Sequence, residues 1–220
     1  DRENHASIYD GCDLSYAETV RYRHNDMDDL EKRLQKLPRE AGKLIVTDGV
    51  FSMSGDVCLL PEITELARQY NAAVMVDDAH GFGVLGRGGR GTADHFGLTD
   101  KTDIIMGTFS KSLASIGGFM AADQYVIDYV RHNSRPFIFS ASIPPASAAT
   151  ALAALRVIKA HPELVERLRS LSDYMRAGLA RRGVEIKAST TPIIPFYTYD
   201  MTATLTTAKK LFEQGVYVNP

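Results

Sequence analysis

Leu44-Ile45-Val46-Thr47, Pro61-Glu62-Ile63-Thr64-Glu65-Leu66-Ala67-Arg68-Gln69-Tyr70 and Val74-Met75-Val76 follow one another as apolar run, amphipathic segment and apolar run. The two apolar runs are short and rich in β-branched residues, the pattern of strands buried on both faces. The segment between them carries proline early and apolar residues at helical spacing, which predicts a crossover helix. Strand, helix and strand in this order predict an α/β fold with a parallel sheet. Ile104-Ile105-Met106 and Gly117-Gly118-Phe119-Met120-Ala121 read as two further buried strands.

Beyond Pro144-Pro145 the pattern changes to long helical periodicity, over residues 146–160 and, after His161-Pro162, over residues 163–182. Gly183 is placed to cap the second of these helices. An extended run at Ile193-Ile194-Pro195-Phe196-Tyr197, a helix over residues 204–214 and a strand beginning at Val216-Tyr217-Val218 complete the reading. The division expected is a larger domain over residues 1–160 and the start of a smaller α+β domain over residues 161–220. The chain has no initiating methionine and stops just after a strand-like run, as a piece of a longer chain would.

The 220 residues hold 25 Lys and Arg against 27 Asp and Glu, a formal charge of -2 without the basic excess that a nucleic-acid partner calls for. No apolar run approaches the roughly 18 residues of a membrane span, and the N-terminal residues have no signal-peptide pattern. Two cysteines, Cys12 and Cys58, fit neither a disulfide framework nor a metal-ligand spacing, so no metal is expected and a cytoplasmic setting is. Both read as small core residues.

In a parallel sheet, ligands gather at the carboxyl ends of strands. Three segments follow strands directly: Asp48-Gly49-Val50-Phe51-Ser52, Asp77-Asp78-Ala79-His80 and Gly107-Thr108-Phe109-Ser110-Lys111-Ser112. Taken singly, an acid after a strand is an ordinary turn or helix cap. Together, an Asp, a His three residues on and a Lys among hydroxyls are what a phosphate-bearing electrophilic cofactor requires. The lysine forms a Schiff base, the carboxylate keeps a ring nitrogen protonated and the hydroxyls receive phosphate. Gly81-Phe82-Gly83-Val84-Leu85-Gly86 also matches a dinucleotide fingerprint, whose third glycine should open a helix. Here Arg87-Gly88-Gly89-Arg90-Gly91 follows, too glycine-rich for a helix, and a mobile loop over the site is expected instead.

At these segments the sequence resembles the α-oxoamine synthases, fold-type-I pyridoxal-phosphate enzymes built like aspartate aminotransferase, with a mainly parallel large-domain sheet. The resemblance also rests on Asn4-His5-Ala6-Ser7, His24-Asn25-Asp26, Met53-Ser54-Gly55-Asp56 and Arg135-Pro136-Phe137-Ile138-Phe139-Ser140-Ala141-Ser142. It implies pyridoxal 5'-phosphate bound to Lys111, Asp77 on the pyridine nitrogen and His80 on the 3'-oxygen. His5 would stack on the ring, Ser52 would lie near the 3'-oxygen, and Thr108 and Ser110 would meet the phosphate. Ser140 would reach the phosphate of a neighbouring subunit, so a homodimer with shared active sites is implied. The extended, apolar look of residues 135–139 suits such an interface.

The implied activity is a C-acyltransferase one, condensing an amino acid with an acyl-CoA and losing carbon dioxide to give an aminoketone and CoA. Thr108-Phe109-Ser110-Lys111-Ser112 and residues 135–139 look like the serine palmitoyltransferase branch. Val76-Asp77-Asp78-Ala79-His80-Gly81 with Gly83 is closer to the 8-amino-7-oxononanoate synthase branch, and the 2-amino-3-ketobutyrate CoA ligase branch shares much of the rest. An aminotransferase or lyase of the same fold would use Asp77 and Lys111 alike. A non-catalytic subunit is disfavoured because Lys111 is present.

Overall fold

The computed structural model describes all residues from Asp1 to Pro220. In chain order its elements are α1 (Ala6–Leu14), α2 (Met27–Leu34), β1 (Leu44–Asp48), α3 (Leu60–Tyr70), β2 (Ala73–Asp77), α4 (Thr92–His95), β3 (Ile104–Thr108) and β4 (Gly118–Ala122). A helical series follows: α5 (Gln124–Asn133), α6 (Arg135–Phe139), α7 (Pro145–Ala160), α8 (Glu163–Arg181) and α9 (Met201–Glu213). The four strands form one sheet in the order β1-β2-β3-β4. The first three run parallel and β4 is antiparallel to β3, so the sheet is mainly parallel, as expected.

The crossover unit forms for the reasons visible in its sequence. Pro61 sits in the first turn of α3, where its missing N–H costs nothing, and the helix stops at Asn71 in a left-handed conformation (φ 52°). The helix buries Leu60, Ile63 and Ala67 against Ile45 and Val74 of the sheet, and Leu30 and Leu34 of α2 join the same core. Burial on this scale stabilises by about 1.5–3 kcal/mol for each large aliphatic side chain. Asp26 starts α2 by accepting the N–H of Asp29 at 2.8 Å.

Several expectations need correction. Residues 135–139 are helical, the five-residue α6, rather than extended. Ser134 and Pro136 carry the reason, an extended residue followed by a proline in the first helical turn, which is a helix start. Val216-Tyr217-Val218 forms no strand, because no neighbour offers it backbone partners. The 193–197 run is reduced to one bridge between Ile186 and Phe196. β4 lies at the end of the four-stranded sheet of this chain and is half exposed there. Cys58 is fully buried but Cys12 only partly so. At α8, Gly183 adopts the left-handed conformation (φ 70°) just past the helix and donates to the carbonyl of Ala180, as its capping role requires.

After Gly86 the chain makes only a three-residue 3-10 turn, Arg87–Gly89, broken at Gly88, and not the α-helix that the dinucleotide fingerprint requires. The segment is tied down rather than loose. Gly83 N–H donates to Gly89 O at 2.7 Å, and Asp78, 1% exposed, accepts from both the N–H and the hydroxyl of Thr92 at 2.9 and 2.6 Å. Gly91 (φ 100°) passes so close to the Asp78 carboxylate that any side chain there would collide with it.

Residues 186–191 return to the loop after β1. Lys187 pairs with Asp56, and the hydroxyls of Ser189 and Thr191 donate to Gly55 O at 2.6 and 2.9 Å. His24 joins this cluster through Asp56 at 2.9 Å and Asp1 at 3.1 Å.

Candidate active site

β1, β2 and β3 end side by side, at Asp48, Asp77 and Thr108, because they are parallel and their register aligns Asp48 with Asp77. Their carboxyl ends open into a cavity of about 300 Å³, at the small end of the volumes of ligand sites. His5, Asp77, His80, Thr108, Ser110 and Lys111 all line it. Ser52 and Ser140 do not: Ser52 is half-buried in the turn beyond β1, and Ser140 is exposed at the end of α6. A larger cavity of about 480 Å³ lies between α1, α2 and the β1 edge. It is lined mainly by apolar residues such as Tyr22, Leu34 and Ile45 and contains none of the strand-end groups, so the chemistry belongs to the smaller one.

Each side chain of the site is positioned by its own local structure. Asp77 is 7% exposed and its Oδ1 accepts the N–H of Ala79 at 3.0 Å, which turns the chain toward His80. The stretch bearing Lys111 is a hydrogen-bonded loop between β3 and β4. Within it Thr108 and Ser110 share a hydroxyl contact of 2.8 Å, Ser112 Oγ donates to Phe82 O at 2.6 Å, and Leu113 is buried. These ties on both sides hold Lys111 at the cavity wall. Gly107 is required because a side chain there would strike the Phe119 ring. His5 caps α1, its Nδ1 accepting the N–H of Ser7 at 3.3 Å and lying 2.8 Å from the Ser7 hydroxyl.

The electrostatics are those of a shielded acid-base site. Burial, followed by the positive charge of Lys111, lowers the pKa of His80, so its imidazole is neutral at physiological pH. Asp48 is pushed up to about 7, first by burial and then by the charge of Asp77 beside it. Asp48 was not assigned a role from the sequence, although its position after β1 matches that of Asp77 after β2. Val50, Ala79, Met106 and Ser7 were likewise not assigned and complete the lining. Only Ser7 had a signal, two residues after His5.

The donor set fits pyridoxal phosphate. A buried carboxylate suits a pyridinium nitrogen, an amine outside any ion pair suits the carbonyl carbon, and two adjacent hydroxyls suit a phosphate.

The family model for aminotransferase class I and II matches residues 1–220. The chain is 53% identical over 220 residues to the serine palmitoyltransferase of Bacteroides ovatus, covering 100% of this chain and 56% of that protein. It is 46% identical over an alignment of 221 positions to the 8-amino-7-oxononanoate synthase of Fervidobacterium nodosum, covering 99% of this chain and 56% of that protein. Among solved structures, the Sphingomonas wittichii serine palmitoyltransferase superposes with a TM-score of 0.95 at 39% identity, covering 99% of this chain and 55% of that one. The chain thus spans little more than half the length of the curated relatives it matches. It belongs to the aminotransferase class I and II family.

Proposed function

We propose that the protein of which this chain is part condenses an amino acid with an acyl-CoA, releasing carbon dioxide and CoA and forming an aminoketone. Serine and a long-chain acyl-CoA are the favoured substrates. The observation that carries this reading is the convergence of Asp77, His80 and Lys111 with two hydroxyls in one cavity. The 53% identity to a serine palmitoyltransferase favours that substrate pair. The 46% identity to an 8-amino-7-oxononanoate synthase keeps a shorter acyl donor and another amino acid as the second reading.

Pyridoxal phosphate, when bound, supplies a conjugated ring that accepts electron density from the α-carbon. Asp77 would hold a proton on the ring nitrogen through a charge-assisted hydrogen bond. Lys111 would hold the cofactor at rest and, when free, its Nζ would take the α-proton. His80, whose pKa is lowered, would donate a hydrogen bond to the ring oxygen. His5 would lie against the ring face, and Thr108 and Ser110 would donate to the phosphate. In the overall balance the α-carbon bonds the acyl carbonyl carbon, the C–S bond to CoA breaks, and the substrate carboxylate leaves as carbon dioxide.

The assembly we propose is a homodimer in which Ser140 reaches the partner's phosphate and Ser52 approaches the site from its turn. Phe137, Ile138 and Phe139 support it, being 63%, 47% and 78% exposed in one short helix, an apolar patch of the kind that a partner covers. Residues 161–220 are then part of the smaller domain. No helix of the structure is long and apolar enough to cross a membrane, and both cysteines are free, which supports a cytoplasmic enzyme.

The test is to supply the intact protein with carboxyl-labelled serine and palmitoyl-CoA and to measure thiol and labelled carbon dioxide. Equal release that needs both substrates is the expected result. Amino-group transfer to an oxo acid without consumption of acyl-CoA would overturn the acyltransferase reading.

A further inference from the structure

Asp48 is 4% exposed, lines the same cavity as Asp77 and is its register partner, so two carboxyl groups end adjacent parallel strands on one face. The Asp48 carboxyl also accepts the backbone N–H of His5, at 3.2 Å to Oδ2 and 3.4 Å to Oδ1. Asn4 completes the bracket. Its Oδ1 accepts the N–H of Asp48 at 3.1 Å and its Nδ2 donates to Val46 O at 2.8 Å. The end of β1 therefore holds the residue that begins α1, and with it the His5 ring at the cavity.

Resting on the function proposed above, we propose that Asp48 is a positioning residue of this site, anchoring His5 over the cavity through a carboxyl acceptor whose charge the anchor does not require. Two buried carboxyl groups on adjacent strand ends make ionisation of the second one costlier. Burial and then the charge of Asp77 push Asp48 up to about 7, while the His5 N–H and Lys111 only partly offset them. His80 faces the pair from the β2 end but is held neutral. A protonated Asp48 still accepts the His5 N–H through its carbonyl oxygen, so the anchor does not depend on its charge.

The test compares Asp48→Asn, which keeps an acceptor but no charge, with Asp48→Leu, which keeps volume but no acceptor. In the cofactor-free intact protein, carbon-13 spectra of the carboxyl groups should show one titrating at about 7, absent from Asp48→Asn. Asp48→Asn should bind pyridoxal phosphate within about twofold of the parent. Asp48→Leu should bind it at least about fivefold more weakly, the equivalent of losing one hydrogen bond of roughly 1 kcal/mol. Its His5 amide should also exchange faster with solvent. Equal weakening in both variants would mean that the Asp48 charge is required, and parental binding by Asp48→Leu would mean that the anchor is idle. Either result overturns the proposal, as does a parent with no carboxyl titrating above the ordinary range. If the leucine variant does not fold, the titration and the asparagine variant decide. Borohydride labelling of Lys111 in the parent is run in parallel. Its absence would count against the function proposed, whereas changes confined to Asp48 variants concern Asp48 alone.

Discussion

Thr92→Val removes one hydroxyl from the strut that holds the turn after Asp77, and its cost can be worked from the contacts. Thr92 is fully buried, its Oγ1 donates to Asp78 Oδ1 at 2.6 Å, and its N–H donates to Oδ2 at 2.9 Å. Valine keeps the shape and the backbone donor, so the change isolates one short hydrogen bond to a buried carboxyl group, worth about 1.5–3 kcal/mol when the acceptor is charged. Burial raises the Asp78 carboxyl above the usual range and the two bonds from Thr92 pull it partway back. Losing one bond raises it further. A carboxyl whose folded pKa is raised binds a proton on folding, so stability falls as pH climbs from the unfolded value through the folded one. The valine variant carries that fall to higher pH. Its deficit should be about 1 kcal/mol on the acid side of the Asp78 titration, where only a neutral bond is lost, and about 2–3 kcal/mol on its alkaline side. Urea midpoints of the intact protein across a pH series measure it. A deficit under about 0.5 kcal/mol on the alkaline side, or one that shrinks as pH rises, would refute the strut and its charge.

Lys111→Ala should abolish covalent attachment of the cofactor, which borohydride reduction and peptide mapping detect; a cofactor mass on Lys101 or Lys43 instead would end the assignment. Asp77→Asn should keep the cofactor but lower turnover at least about a hundredfold, equivalent to roughly 2.7 kcal/mol of transition-state stabilisation. Near-parental turnover would disprove its role on the ring nitrogen and direct attention to Asp78. Mixing a Lys111→Ala chain with a Ser140→Tyr chain should restore activity, because a dimer acting in trans then holds one site with both defects and one with neither. No recovery in dimers shown to have exchanged subunits would place Ser140 outside the partner's site.

The alternation of β-branched runs with an amphipathic helix was legible along residues 44–76 because strand and helix periodicities are local properties of the chain. The same holds for the strand-end residues Asp77, His80, Thr108, Ser110 and Lys111. Once the runs before them are strands of a parallel sheet, all of them must face one edge. The ends of the helices were legible where proline or glycine punctuates them, at Pro61 and Gly183. Local pattern misled where a partner was needed. Val216-Tyr217-Val218 has strand composition, but strand formation depends on a neighbour to pair with, and none is adjacent. Residues 135–139 look extended by composition, yet Pro136 falls in the first turn of a short helix. The antiparallel direction and exposure of β4 were equally invisible, since both are properties of the pairing with β3. Tertiary structure alone decided which residues share the cavity, leaving Ser52 and Ser140 outside it and bringing Asp48 beside Asp77. Asp48 and Asp77 lie 29 positions apart in the sequence, and only the register of β1 on β2 turns two separate acids into one coupled pair.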